Sequence, residues 1–235
     1  MTIHILATGT SRGIGAAIAG SLDCDDVRFV GHSTAGSDLA IPADLAEPGA
    51  ATTLWAQALD RLDGRIDILI NNAGIFEATP LELPADQWLA GWERTMRINL
   101  TAAAALSRLA VLHFQQNGGG RIVNVASRAA YRGDSPAHWH YAASKAGMVA
   151  MTKTIARGYA RDAILAFAVC PGFTMTGMAE DYLGSRGGDA LLADIPLGRV
   201  AEPAEVAAAV RFLALEAPPS MTGAVLDING ASYVR

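Results

Sequence analysis

Short, nearly apolar runs alternate along this chain with longer alanine-rich segments, and that alternation constrains the fold more than any other feature. The runs suited to strands are Ile3–Thr8, Val27–Gly31, Ile66–Ile70, Arg121–Val125, Ile164–Cys170 and Ala224–Ile228. Continuous apolar strands are buried on both faces, the condition of a parallel sheet covered by helices. Helical patterns fall between them, over Ile14–Leu22, Ala50–Leu62, Ala85–Gln116, Ala137–Tyr159 and Pro203–Leu215. Glu202-Pro203 marks the start of the last, because proline's missing N–H is unneeded in the first turn. This order predicts one α/β domain over residues 1–235, a doubly wound parallel sheet with helices on both faces and right-handed crossovers. No linker, repeat or low-complexity segment divides it. Only Pro171–Arg199 lacks a clear pattern, and so long a stretch reads as a substrate lid at about 173–199.

Charge and cysteine content exclude several classes. The net charge of −5 comes without a clustered basic face, which argues against nucleic acid as a partner. Cys24 and Cys170 are too few for a disulfide framework or a zinc site, so both are expected to be buried small hydrophobes. No metal is expected. Met1 runs almost directly into "IHILATG", with no basic region or cleavage site of a signal peptide. Thr101–Phe114 is interrupted by Ser107 and Arg108 and is shorter than the ~20 residues a membrane span needs. A cytoplasmic protein with no membrane partner is the expectation.

"TGTSRGIG", Thr8 to Gly15, closes the first strand and opens the first helix. Gly9, Gly13 and Gly15 permit a tight turn and close backbone approach. The helix start offers free N–H groups and positive potential to a phosphate. With Ser11, Arg12 and Ile14, this loop is a candidate dinucleotide site.

Further motifs follow in order: "NNAG" at Asn71–Gly74, Asn99, Ser127, Tyr141-x-x-x-Lys145 and Pro171-Gly172. Together with the glycine loop and the tail "TGAVLDING", they resemble the short-chain dehydrogenase/reductase family over the whole chain. Within that family the chain looks most like the bacterial 3-oxoacyl-[acyl-carrier-protein] reductases and the carbonyl reductases close to them. The resemblance implies a Rossmann-like fold, a nicotinamide cofactor, a carbonyl/alcohol substrate and a homotetramer (or homodimer) packed through the long helices.

Tyr141 and Lys145 can be read from physics as well. Residues four apart on a helix share a face, about 5–6 Å apart at Cβ. A tyrosine with its usual pKa near 10 is a poor base at neutral pH. A neighbouring ammonium should favour the phenolate, and an oxidised nicotinamide would add a second positive charge. Tyr141 is therefore the candidate proton-transfer group. Lys145 is one of only two lysines, and its compact ammonium suits a second contact to ribose hydroxyls.

Ser127 follows the strand "RIVNVAS" and is placed at the carboxyl end of the sheet. In the family the matching serine hydrogen-bonds the substrate oxygen. It lies 14 positions before Tyr141, one more than is usual, so "RAAYRGDSPAHWH" must bulge. By resemblance, Asn99 sits at a helix distortion and supports a proton relay from the lysine. Resemblance also implies that Asn71, Ala73 and Gly74 approach the cofactor. Pro171, Gly172, Thr174 and Thr176 would hold its nicotinamide, and Asp44-Leu45 its adenine.

The second strand ends "FVGHSTAG", and no acid stands there to repel a 2′-phosphate. His32 and Ser33 are candidate contacts, and Arg12 is a fixed cation for that phosphate. NADP(H) is therefore expected over NAD(H), unless Asp38 folds back to the ribose. His138, Trp139 and His140 are expected to shape the pocket mouth or an interface. Met175, Met178, Tyr182 and Leu183 give the lid apolar surface.

Two function classes stand at this point. One is an oxidoreductase moving hydride between nicotinamide and a carbonyl/alcohol pair. Its substrate could be an acyl thioester, or a small ketone, sugar or cyclic alcohol. The other is a dinucleotide-binding sensor without turnover, which would usually have lost the tyrosine or lysine. Carrier-protein recognition would want a basic surface, for which Arg97, Arg128 and Arg132 are candidates.

Overall fold

The computed structural model describes residues 2–176 and 188–235. Seven parallel strands form one sheet in the order β3-β2-β1-β4-β5-β6-β7. They are β1 (Ile3–Thr8), β2 (Val27–Ser33), β3 (Ala40–Pro42), β4 (Ile68–Asn71), β5 (Gly120–Val125), β6 (Ile164–Pro171) and β7 (Val225–Ile228). Six were expected. The addition, β3, is a three-residue edge strand paired to β2 through Gly31–Ala40 to Ser33–Pro42. It is too short to show a sequence period, so "NNAG" ends the fourth strand and not the third.

The helices α1 (Gly13–Ser21), α2 (Ala50–Arg61), α3 (Ala85–Met96), α4 (Ala102–Gln116), α5 (Ala129–Arg132), α6 (Trp139–Tyr159), α7 (Gly188–Ala193) and α8 (Pro203–Arg211) surround it. Alternation within strands builds two cores. Leu6, Leu69, Ile122 and Ala166 face Leu54, Leu106, Phe114 and Ile155 on α2, α4 and α6. Ile5, Ile70, Val123 and Phe167 face Ile18, Val206 and Val210 on α1 and α8. All eight residues of β6 are buried. Burying a large aliphatic or phenyl side chain contributes about 1.5–3 kcal/mol, so this layer dominates stability.

Two features depart from regular helix. The expected helix Ala85–Gln116 is broken at Arg97–Thr101 by a π-type turn. A second π-type turn, Phe212–Glu216, follows α8. The α8 start carries a full capping box, with Glu202 and Glu205 each bonding the other's backbone.

The winding direction of the sheet reverses between β1 and β4, which opens a crevice at the strands' carboxyl ends. The glycine loop after β1 and "NNAG" after β4 flank it. Every candidate catalytic side chain is brought to this end.

Candidate active site

The glycine loop is shaped around close contacts. Gly9 has φ 71°, and a Cβ on Gly15 would stand 1.8 Å from the Gly9 carbonyl oxygen. Only glycine fits there. Two residues missed by the sequence reading hold the loop in place. The Thr8 hydroxyl accepts from the Asn72 and Ala73 N–H groups, both at 3.0 Å. The Asn72 amide donates to the Thr8 and Gly9 carbonyls at 3.0 and 2.9 Å. The doubled asparagine of "NNAG" was the available signal. Gly15→Ala should therefore distort the cradle and weaken dinucleotide binding by at least about tenfold, with a lowered Tm. Fluorescence titration and a melting curve check this, and unchanged binding would place the cofactor elsewhere.

At the reacting end, the Ser127 side chain lies beside the Tyr141 phenol and favours its ionised form. Between them lie the short helix α5 and Gly133 at φ 77°. Ser127 Oγ also accepts from the Ala129 N–H at 3.1 Å. One turn beyond Tyr141, Lys145 is buried, with Nζ donating to the Val125 carbonyl at 2.9 Å and lying 5.8 Å over the Tyr141 ring. Gly74 lies against both Lys145 and Asn99, since a Cβ there would come within 3.4 Å of Nζ and 3.3 Å of Asn99 Oδ1.

Asn99 explains the π-type turn. Its Oδ1 accepts from the Ile75 N–H at 2.8 Å, and its Nδ2 donates to the Ile75 carbonyl at 3.0 Å and to Ser144 Oγ at 3.3 Å. An asparagine that bonds a neighbouring loop so fully favours a local break over a regular turn.

The electrostatics differ from the sequence expectation. Lys145 was expected to lower the Tyr141 pKa. Instead burial pushes the phenol above its usual range, opposed by the Ser127 hydrogen bond. Burial also lowers Lys145 from 10.5 to about 8. The ammonium donates to the Val125 carbonyl, and desolvation is the largest influence on the phenol.

Several predicted cofactor contacts have other roles. His32 was expected to meet the ribose, yet both ring nitrogens are engaged. The Gly9 N–H donates to Nδ1 at 3.2 Å, and Nε2 donates to the Ala43 carbonyl at 3.0 Å. It is a brace for the glycine loop, and burial lowers its pKa so that it stays neutral. Ser33 Oγ accepts from the Gly36 N–H at 3.0 Å and is likewise buried in its own turn. Asn71 also turns inward, donating to Ser107 Oγ and Asn124 Oδ1 at 3.1 and 2.8 Å. A strand residue's face is set by register, which the "NNAG" motif does not reveal.

The remaining candidates differ in exposure and partners. Ser11 and Arg12 are exposed beside half-buried Ile14. Thr176 folds over the glycine loop, where a Cβ on Gly13 would meet its Cγ2 at 2.9 Å. Pro171 ends β6, Gly172 lies against Asn229, and Thr174 bridges to Ala201 and donates to the Gly172 carbonyl at 3.3 Å. Asp44 is exposed and caps the Ala46 N–H, while the Leu45 side chain is in the core. The cradle, the α1 N-terminus and Thr176 above it suit a dinucleotide.

Of the expected lid, Met175 is half-buried against Ile195 and Val200. Met178, Tyr182 and Leu183 lie outside the described residues. Cys170 is buried as expected, but Cys24 is exposed, since the turn between α1 and β2 lies at the surface. Among the described residues, no group of three or more His, Cys, Asp or Glu could hold a metal, and no helix is long and apolar enough to cross a membrane.

Comparison with known proteins agrees with this geometry. A family model described as enoyl-(acyl carrier protein) reductase matches residues 9–231. The 3-oxoacyl-[acyl-carrier-protein] reductase of Vibrio cholerae is 34% identical over 240 residues, covering 97% of this chain and 96% of the relative. That of Synechocystis is 34% identical over 242 residues, covering 96% and 94%. The acetoacetyl-CoA reductase of Shinella zoogloeoides is 33% identical over 240 residues, covering 97% of each. With its parallel sheet, its glycine cradle and its Ser127–Tyr141 pair one turn from Lys145, the chain belongs to the short-chain dehydrogenase/reductase family, as an oxidoreductase that uses a nicotinamide cofactor on a carbonyl/alcohol group.

Proposed function

We propose that this enzyme reduces a 3-oxoacyl thioester to the 3-hydroxyacyl thioester and prefers NADP(H). The Ser127 side chain beside the Tyr141 phenol, with Lys145 one turn on and the glycine cradle alongside, carries the reading. The nicotinamide supplies the hydride when bound. Ser127 donates to the ketone oxygen, and Tyr141 delivers the proton that this oxygen needs as charge develops on it. Lys145 holds the cofactor ribose, and Asn99 supports the relay behind it. A homotetramer is the working form by likeness to the family.

The thioester is favoured because relatives named for 3-oxoacyl-carrier-protein and acetoacetyl-CoA substrates share that chemistry. A carrier protein finds less support in the arginines. Arg97 donates to the Ala46 carbonyl beside β3, whereas Arg128 and Arg132 share Asp194 beyond β6, toward the opposite edge of the sheet. The test is NADPH oxidation over a panel of acetoacetyl-CoA, cyclic ketones and sugars. Turnover on a cyclic ketone or sugar with none on the thioester would overturn the proposal.

NADP(H) is favoured because Arg12 is exposed at the start of α1 and has no ion-pair partner among the described residues. Asp38 is exposed on the turn after β2. Arg12→Ala should weaken NADPH far more than NADH, by the roughly 1.5–3 kcal/mol of a hydrogen bond to a charged group. Equal losses for both cofactors would remove Arg12 from 2′-phosphate binding.

A further inference from the structure

Beside Tyr141 stands a set of rings that the chemistry above does not use. Phe76, in the loop after β4, stacks flat on His138, with centroids 3.9 Å apart and planes 4° apart. The same Phe76 meets the Tyr141 ring edge-on at 4.7 Å and 81°. His138 is thus one ring away from the proton donor. The pair is held in register by a second contact between the same two segments. The Thr79 N–H donates to the Ala137 carbonyl at 2.8 Å. Buried His140 has its Nε2 3.0 Å from Thr79 Oγ1 and 3.1 Å from the Glu77 carbonyl.

The two histidines differ in what they leave open. His140 is consumed by the contact it makes. His138 is half-buried, and its Nδ1 lies 2.7 Å from Ser135 Oγ. Its Nε2 has no hydrogen-bond partner among the described residues. A serine hydroxyl can donate or accept, so Ser135 can hold either tautomer. When the hydroxyl donates to Nδ1, Nε2 carries the proton and becomes a donor at the free edge of the ring. Burial lowers the His138 pKa, which keeps the ring neutral at neutral pH.

We propose that His138 is a specificity-determining residue whose Nε2–H hydrogen-bonds a second carbonyl oxygen, two carbons from the ketone being reduced. The inference rests on the thioester reading above, where that oxygen is the thioester carbonyl. Phe76 supplies the flat wall that sets the imidazole's plane. A site built to hydrogen-bond a substrate group discriminates against the analogue that lacks it.

The experiment compares acetoacetyl-CoA and ethyl 3-oxobutanoate, which carry the second carbonyl, with 2-butanone, which does not. His138→Phe keeps a ring against Phe76 and removes the donor. It should lower kcat/KM for the first two about tenfold, mainly through KM, and leave 2-butanone unchanged. His138→Gln, which restores an N–H donor, should recover part of the loss. Equal losses on all three substrates, or no loss on any, would overturn the proposal. Wild-type turnover on ethyl 3-oxobutanoate with the same His138 dependence, but none on the thioester, would support His138 and overturn only the thioester reading. Wild-type turnover confined to 2-butanone would overturn both.

Discussion

Tyr141→Phe should lower turnover by about 10²–10⁴-fold while the dinucleotide still binds. The substitution removes one oxygen and keeps the ring, so the edge contact with Phe76 survives. The Ser127 hydroxyl still accepts from the Ala129 N–H. Melting temperature and cofactor titration should therefore stay close to wild type, which separates a chemical defect from a folding one. The effect is large because the Tyr141 phenol stands beside Ser127, where the developing oxyanion of the proposed reaction would sit. Turnover within a few-fold of wild type would show that the proton comes from elsewhere.

Lys145→Met is expected to abolish turnover without lowering stability. The ammonium is buried, and its pKa falls from 10.5 to about 8. Between those values the unfolded chain binds the proton that the folded one has released, so stability increases as pH rises through about 8 to 10.5. Below about 8, burying the charge costs about 3 kcal/mol, at about 1.4 kcal/mol for each pKa unit. Methionine of similar length removes that cost but forfeits the charged bond to the Val125 carbonyl, worth roughly 1.5–3 kcal/mol. The net gain of about 0–1.5 kcal/mol corresponds to a Tm between unchanged and roughly 6 °C higher in a chain of this size. Loss of the ammonium also removes the proposed ribose contact, so cofactor affinity should fall with turnover. A lowered Tm would mean that Lys145 supports the fold instead of burdening it, and unchanged cofactor affinity would refute the ribose contact.

Much of the molecule was legible before folding because its signals are local. Six of the strands announce themselves as apolar runs, since a strand buried on both faces needs apolar side chains at successive positions. Tyr141 and Lys145 could be paired from spacing alone, because four residues on a helix define one face. Gly15 was readable as a close approach, although the partner of that approach, the Gly9 carbonyl, was not.

What the tertiary structure decided are contacts between distant segments, for which no periodicity exists. Asn99 distorts its helix because the loop at Ile75 passes within hydrogen-bonding reach, an effect of sheet order. His32 braces Gly9 and Ala43 instead of facing the cofactor, and Asn71 turns inward to Asn124, because strand register sets which way each side chain points. The Tyr141 pKa moved opposite to the pairwise expectation, and burial lowered that of Lys145. Desolvation depends on everything packed around a group, whereas sequence spacing reveals only its nearest neighbour.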